Sequence, residues 1–94
     1  MIKYDLVFLP HFKRDYKKLK RKHIRLDNLP VVLNLLHVYN RKILKGKYDD
    51  HALHGNWKGY RELHLRSNLL IRYRIHKHVV VITLARLGSH RDVL

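Results

Sequence analysis

The sequence contains no cysteine. That excludes a disulfide framework, a thiolate zinc site and a thiol nucleophile. Acidic residues are scarce: seven Asp and Glu stand against 21 Lys and Arg, giving +14 before any of the nine histidines takes up a proton. Long apolar runs are missing too. The longest, Leu69–Ile71 and Val79–Leu84, fall far short of the roughly 20 residues a membrane span requires. Met1-Ile2-Lys3-Tyr4-Asp5 lacks the apolar segment of a secretion signal, so a soluble, cytoplasmic protein with no membrane partner is expected. With two prolines and four glycines there is no linker, repeat or low-complexity tract, and residues 1–94 are expected to form one small domain.

What is present is a folding composition, 46% apolar with 10% aromatic residues, carrying a strong positive field. Such a field draws polyanions, so nucleic acid or an acidic protein is the expected partner. The basic residues bunch between His11 and Arg25. There Phe8, Phe12, Tyr16 and Leu19 fall on one helical stripe, leaving Lys13, Lys17, Lys18, Lys20 and Arg21 on the remaining faces. This amphipathic helix offers a basic outer face to phosphates.

Around it the periodicity predicts the other elements. Tyr4–Leu9, stopped by Pro10, reads as a strand. Asp27-Asn28 before Pro30 reads as a helix start, with Leu29, Val32, Leu33, Leu36 and Tyr39 forming a stripe to about Asn40. Lys45–Asn56 has no clean period and reads as a loop. Beyond Trp57 a two-residue period puts Tyr60, Glu62 and His64 on one strand face and Arg61, Leu63 and Leu65 on the other. Leu69–Ile75 follows after a Ser67-Asn68 turn. The apolar Val79–Leu84 comes next, expected at the centre of the sheet, and the tail after Gly88 suits a helical turn. The expected fold class is α+β in the order β-α-α-β-β-β: two N-terminal helices packed on a small antiparallel sheet, with a short C-terminal helical turn.

Without cysteine and with few carboxylates, histidine is the natural acid or base near neutral pH. RNA cleavage through its own 2′-hydroxyl needs a base for that hydroxyl, an acid for the leaving 5′-oxygen, and cations about the phosphate. Histidine with Arg or Lys meets all three needs without metal. In a three-stranded meander the end of the first strand and the end of the third lie on the same side. His64 and the Arg86–His90 segment are therefore expected near one another, with His51 supplied by the preceding loop. A zinc site from His51, His54 and His64 is the competing reading of the same residues.

The run Asp50-His51-Ala52-Leu53-His54-Gly55-Asn56-Trp57-Lys58-Gly59-Tyr60-Arg61-Glu62-Leu63-His64 resembles the DHxLxGxWKGYR(D/E)xH block of YafQ-type toxins in the RelE superfamily. The tail Ala85-Arg86-Leu87-Gly88-Ser89-His90 resembles the same family's RxG(S/T)H motif. This resemblance implies a RelE-like fold and a metal-independent, cofactor-free endoribonuclease that cuts mRNA in the ribosomal decoding site. The implied products are a 2′,3′-cyclic phosphate or 3′-phosphate and a 5′-hydroxyl. It also implies an acidic cognate antitoxin, and operator DNA reached only through that antitoxin.

Position by position, the resemblance gives His51, His64 and His90 the acid and base steps, with Glu62 as a supporting polar group. Arg86 would stabilise the charged phosphate in the transition state. Lys58 and Arg61 of the block are implied substrate contacts, as are Asn68 and Leu94, where the family carries an aspartate and an aromatic residue. Asn68 cannot ionise and Leu94 has no ring to stack on a base. These two departures favour the alternative, a weakened or non-enzymatic RNA- or ribosome-binding member.

Overall fold

The computed structural model describes residues 2–93; Leu94 therefore lies outside the described residues. The elements are β1 (Asp5–Phe8), α1 (Pro10–Arg21), α2 (Leu29–His37), α3 (Arg41–Tyr48), β2 (His51–Ala52), a 3-10 turn (Gly55–Trp57), β3 (Arg61–Arg66), β4 (Leu69–His76) and β5 (Val81–Gly88). They form one α+β layer pair, a five-stranded sheet ordered β1-β5-β4-β3-β2 with helices on one face.

Four expectations need correction. The sheet is mixed, because β1 lies parallel to β5 while the other pairs are antiparallel. The central strand is β4, with β5 one place nearer the edge. α2 ends at His37, and Tyr39 lies past it in the left-handed region. The expected loop over Lys45–Asn56 instead holds the second half of α3, then β2 and the start of the 3-10 turn. α3 starts where the Asn40 side chain accepts from the Ile43 N–H, and stops at Asp49, whose φ of 52° cannot continue a helix. The C-terminal tail makes one helical turn, closed by Val93 N–H donating to Ser89 O at 3.1 Å.

The core lies between the sheet and the helices. Phe12 and Leu19 of α1, Val32 and Leu36 of α2, and Leu44 of α3 pack onto Leu63, Ile71, Ile82, Leu84 and Leu87. Burying each such side chain contributes about 1.5–3 kcal/mol. β3 alternates as its sequence requires: Leu63 and Leu65 face the helices, leaving Glu62 and His64 on the open face.

Beneath the helices, the Asp50 carboxylate accepts from the Tyr73 hydroxyl and twice from Arg61, at 3.0 and 2.9 Å. Burial, reinforced by the Asp50 carboxylate, pushes the Tyr73 phenol well above its ordinary value of 10.0. Burial raises Tyr39 as well. Above about pH 10 the unfolded chain releases these protons and the folded chain keeps them. Stability therefore falls as pH rises there, by up to about 1.4 kcal/mol per pH unit for the buried Tyr73 and by less for the half-buried Tyr39. Below that pH both states hold the proton and the slope vanishes. Tyr73→Phe is expected to lose about 1–3 kcal/mol at neutral pH, because buried Asp50 loses a donor. It should also show a shallower alkaline decline in urea unfolding. An alkaline slope identical to wild type would mean that Tyr73 titrates as a free phenol.

Candidate active site

β2 pairs with β3 so that His51 stands opposite Glu62, and β3 pairs with β4 so that Glu62 stands opposite Arg72. Side chains directly opposite share a face, so His51, Glu62 and Arg72 lie in one row across the open side of the sheet, with His64 two residues along. His90 arrives on the C-terminal turn. The rings of His51 and His64 are 6.1 Å apart, and those of His64 and His90 5.9 Å.

The buried carboxylate of Glu62 sits among them. Its Oε1 is 3.7 Å from His51 Nε2 and 3.8 Å from His90 Nε2; its Oε2 accepts from Arg72 Nε at 2.7 Å. Glu62's side chain is 4% exposed, against 43% for His51 and 57% for His90, so imidazoles face solvent above a buried carboxylate. His51 Nδ1 lies 2.7 Å from the Asp49 carbonyl oxygen. A carbonyl only accepts, so Nδ1 carries the hydrogen, and the reactive nitrogen of the neutral ring is Nε2, on the Glu62 side. His64 Nε2 faces a different carboxylate, Asp49 Oδ2, at 3.8 Å. The cluster thus holds proton acceptors and donors at the edge of open solvent, which acid–base catalysis on a large substrate requires.

The same group offers a metal-like spacing, though not from the residues that spacing in the sequence selects. Glu62, His64 and His90 present one ligating atom each within 4.8 Å of one another, whereas His54 is exposed and outside this group. Arg72 keeps a positive charge on the other oxygen of Glu62, which opposes a second cation.

The other expected residues are more scattered. Arg86 is bound by Asp15 of α1, Nε to Oδ2 at 2.9 Å and Nη2 to Oδ1 at 3.2 Å, and Nη2 also donates to Asp92 O at 2.8 Å. Asp15 Oδ2 accepts from the Leu87 N–H too, so it caps the stretch of β5 that β1 does not reach. Arg61 lies on the helix side, tied to Asp50. Lys58 is exposed after the 3-10 turn, and Asn68 is exposed at the β3–β4 turn, lining a shallow hollow with Ser89 and Asp92. Lys13, Lys17, Lys18, Lys20 and Arg21 are all exposed on α1. A groove of about 460 Å³ between α1 and α2, floored by Phe8, Phe12 and Leu33, shares no residue with the histidine cluster.

Sequence reasoning missed Arg72, Asp49 and Asp15. Asp15 carries a readable signal: it is the one acidic residue between His11 and Arg25, and its spacing from Phe12 and Leu19 puts it beside the buried stripe. Arg72 carries none, because an arginine in an alternating strand reads as solvent-facing.

Residues 4–94 match the family described as bacterial toxin of type II toxin–antitoxin system, YafQ. The chain is 31% identical over 75 residues to the Escherichia coli K12 mRNA interferase toxin YafQ, covering 80% of each. It superposes with a TM-score of 0.83 on a chain of the E. coli DinJ–YafQ toxin–antitoxin complex, at 27% identity and 99% coverage of each. A metal-bound toxin from Helicobacter pylori gives a TM-score of 0.84 at 34% identity, with 97% of this chain and 99% of that one covered. With the family match spanning the sheet, the helices and both histidine-bearing motifs, the chain belongs to the YafQ family of bacterial type II toxin–antitoxin toxins.

Proposed function

We propose that this protein is an mRNA endonuclease toxin that cuts on the ribosome. The observation that carries this reading is the arc of His51, His64 and His90, about 6 Å apart, around the buried Glu62 on the open sheet face. An in-line attack places the attacking and leaving oxygens on opposite sides of phosphorus, so base and acid must approach from two directions. One imidazole takes the 2′-hydroxyl proton, and the 2′-oxygen bonds to phosphorus as the P–O5′ bond breaks. A second imidazolium gives its proton to the 5′-oxygen. The products are a 2′,3′-cyclic phosphate and a 5′-hydroxyl, and no metal is required.

Glu62 steadies the protonated imidazoles, and Arg86 meets the phosphate as its charge builds. Lys58, Asn68 and Leu94 contact the RNA, Arg61 is held away from it on the helix side by Asp50, and the basic face of α1 meets rRNA. The name of the E. coli relative, mRNA interferase toxin, supports the activity. The DinJ–YafQ complex supports a cognate antitoxin partner, which for a chain of charge +14 is acidic. The antitoxin also brings the toxin to operator DNA, because the described residues show no DNA-reading motif of their own. The site of action is the cytoplasm, where the ribosomes are.

Two observations favour the weaker alternative, a binding member with little cleavage. Asn68 cannot ionise, and the charge of Arg86 is already matched by Asp15. Primer extension on an mRNA in reconstituted translation separates the two readings. Codon-phased cuts with ribosomes, and none without them, are expected. Intact mRNA with folded, ribosome-bound protein would leave the binding role alone.

A further inference from the structure

We propose that Arg72 is the positioning residue of the histidine cluster, a clamp that joins Glu62 to the turn carrying His90. The guanidinium is buried on the open face of β4 and uses two separate donors. Nε donates to Glu62 Oε2 at 2.7 Å, and Nη1 donates to the Val93 carbonyl oxygen at 2.6 Å. The guanidinium carbon lies 4.7 Å from the centroid of the Trp57 ring, which shields it. One side chain therefore ties β3, the 3-10 turn and the C-terminal turn together.

Each contact bears on the acid–base groups. By holding Oε2, Arg72 fixes the carboxylate so that Oε1 faces both His51 and His90. By holding Val93 O, it pins the far end of the turn on which His90 rides. The turn has few other anchors: Val93 N–H to Ser89 O, Asp92 N–H to Ser89 Oγ, and Arg86 to Asp92 O. Val93 itself is fully buried and packs against Gly88, where a Cβ would fall 3.5 Å from its Cγ1. His90 is more than half exposed and is placed by this turn rather than by its own packing. A lysine could keep the charge beside Glu62, but a single ammonium lacks the two spaced donors of a guanidinium.

The inference rests on the nuclease reading for its catalytic consequence, and it also has a readout that needs no cleavage. Arg72→Lys and Arg72→Gln would be made in the full chain, with Val93→Ala as a variant that loosens the turn without touching an ionisable group. Amide exchange would be followed at Val93, alongside kcat and KM on ribosome-bound mRNA. Both Arg72 variants are expected to speed Val93 exchange by at least about 10-fold, as local opening of the turn becomes easier. They should lower kcat by roughly 10–100-fold with KM within about threefold, the size typical of residues that orient reacting groups. Val93→Ala should shift both readouts in the same direction by less.

Unchanged Val93 exchange in folded Arg72→Lys would overturn the clamp. So would a raised KM at intact kcat, since Arg72 would then be an RNA contact. If Arg72→Gln does not fold, Arg72→Lys and Val93→Ala decide the matter. If wild type itself does not cleave, the nuclease reading fails, and exchange alone judges the clamp.

Discussion

Replacing His64 and His90 together by alanine is expected to slow single-turnover cleavage of ribosome-bound mRNA by roughly 10³–10⁴-fold, within the range for losing positioned acid–base groups. Each single substitution should cost about 10²–10⁴-fold, and the double should lie near the worse single rather than at their product, because acid and base act as a unit. Ribosome co-sedimentation should be unchanged. His64 is about a quarter exposed and His90 more than half, so neither fills the core, and thermal stability should move by no more than about 0.5 kcal/mol. His51→Ala sorts the roles. If His51 is the base, its loss matches that of the worse single; if it only steadies Glu62, the loss is smaller. Full cleavage by the double variant would remove His64 and His90 from the mechanism.

That prediction draws on residues that are legible in the sequence, and the reason is local. Tyr60 to Leu65 alternates cleanly, so the facing of Glu62 and His64 follows from the period of a strand. Meander order brings the end of β5 to the same end of the sheet as the end of β3, with β4 between them, and the turn that follows places His90 near His64. α3 is not legible, because its buried face is two residues, Leu44 and Tyr48, set among four basic ones. The parallel pairing of β1 with β5 is a contact across more than 70 residues, and nothing in Tyr4–Leu9 names its partner.

Side-chain partnerships are harder still. Motif matching gives Arg86 to the phosphate, while the fold gives its guanidinium to Asp15. Arg61 belongs to the block, yet alternation turns it to the helix side and into the buried network of Asp50. Arg72 lies outside both motifs and touches more of the site than either.

The second large effect concerns affinity rather than rate. Lys13, Lys17, Lys18, Lys20 and Arg21 are exposed, and no ion pair holds any of them among the described residues. If all five meet rRNA phosphates, the slope of log affinity against log salt should carry about −3.5 to −4.5 from this face alone. Between about 50 and 200 mM salt that corresponds to a loss of roughly 100–500-fold in ribosome affinity.

Changing all five to glutamine should remove this share of the slope and leave a weaker complex that responds less to salt. The fold should survive. Glutamine is nearly as good a helix former as lysine, and the buried face of α1, Phe12 and Leu19, is untouched. Losing Lys18, Lys20 and Arg21 from the last turn gives up about 0.3–1 kcal/mol each against the helix dipole, at low salt. Relief of self-repulsion in a +14 chain offsets part of that. Ribosome binding measured across a salt series, with unfolding midpoints alongside, separates the two contributions. An unchanged slope in a folded quintuple variant would mean that this face meets solvent only, and that another surface carries the protein to the ribosome.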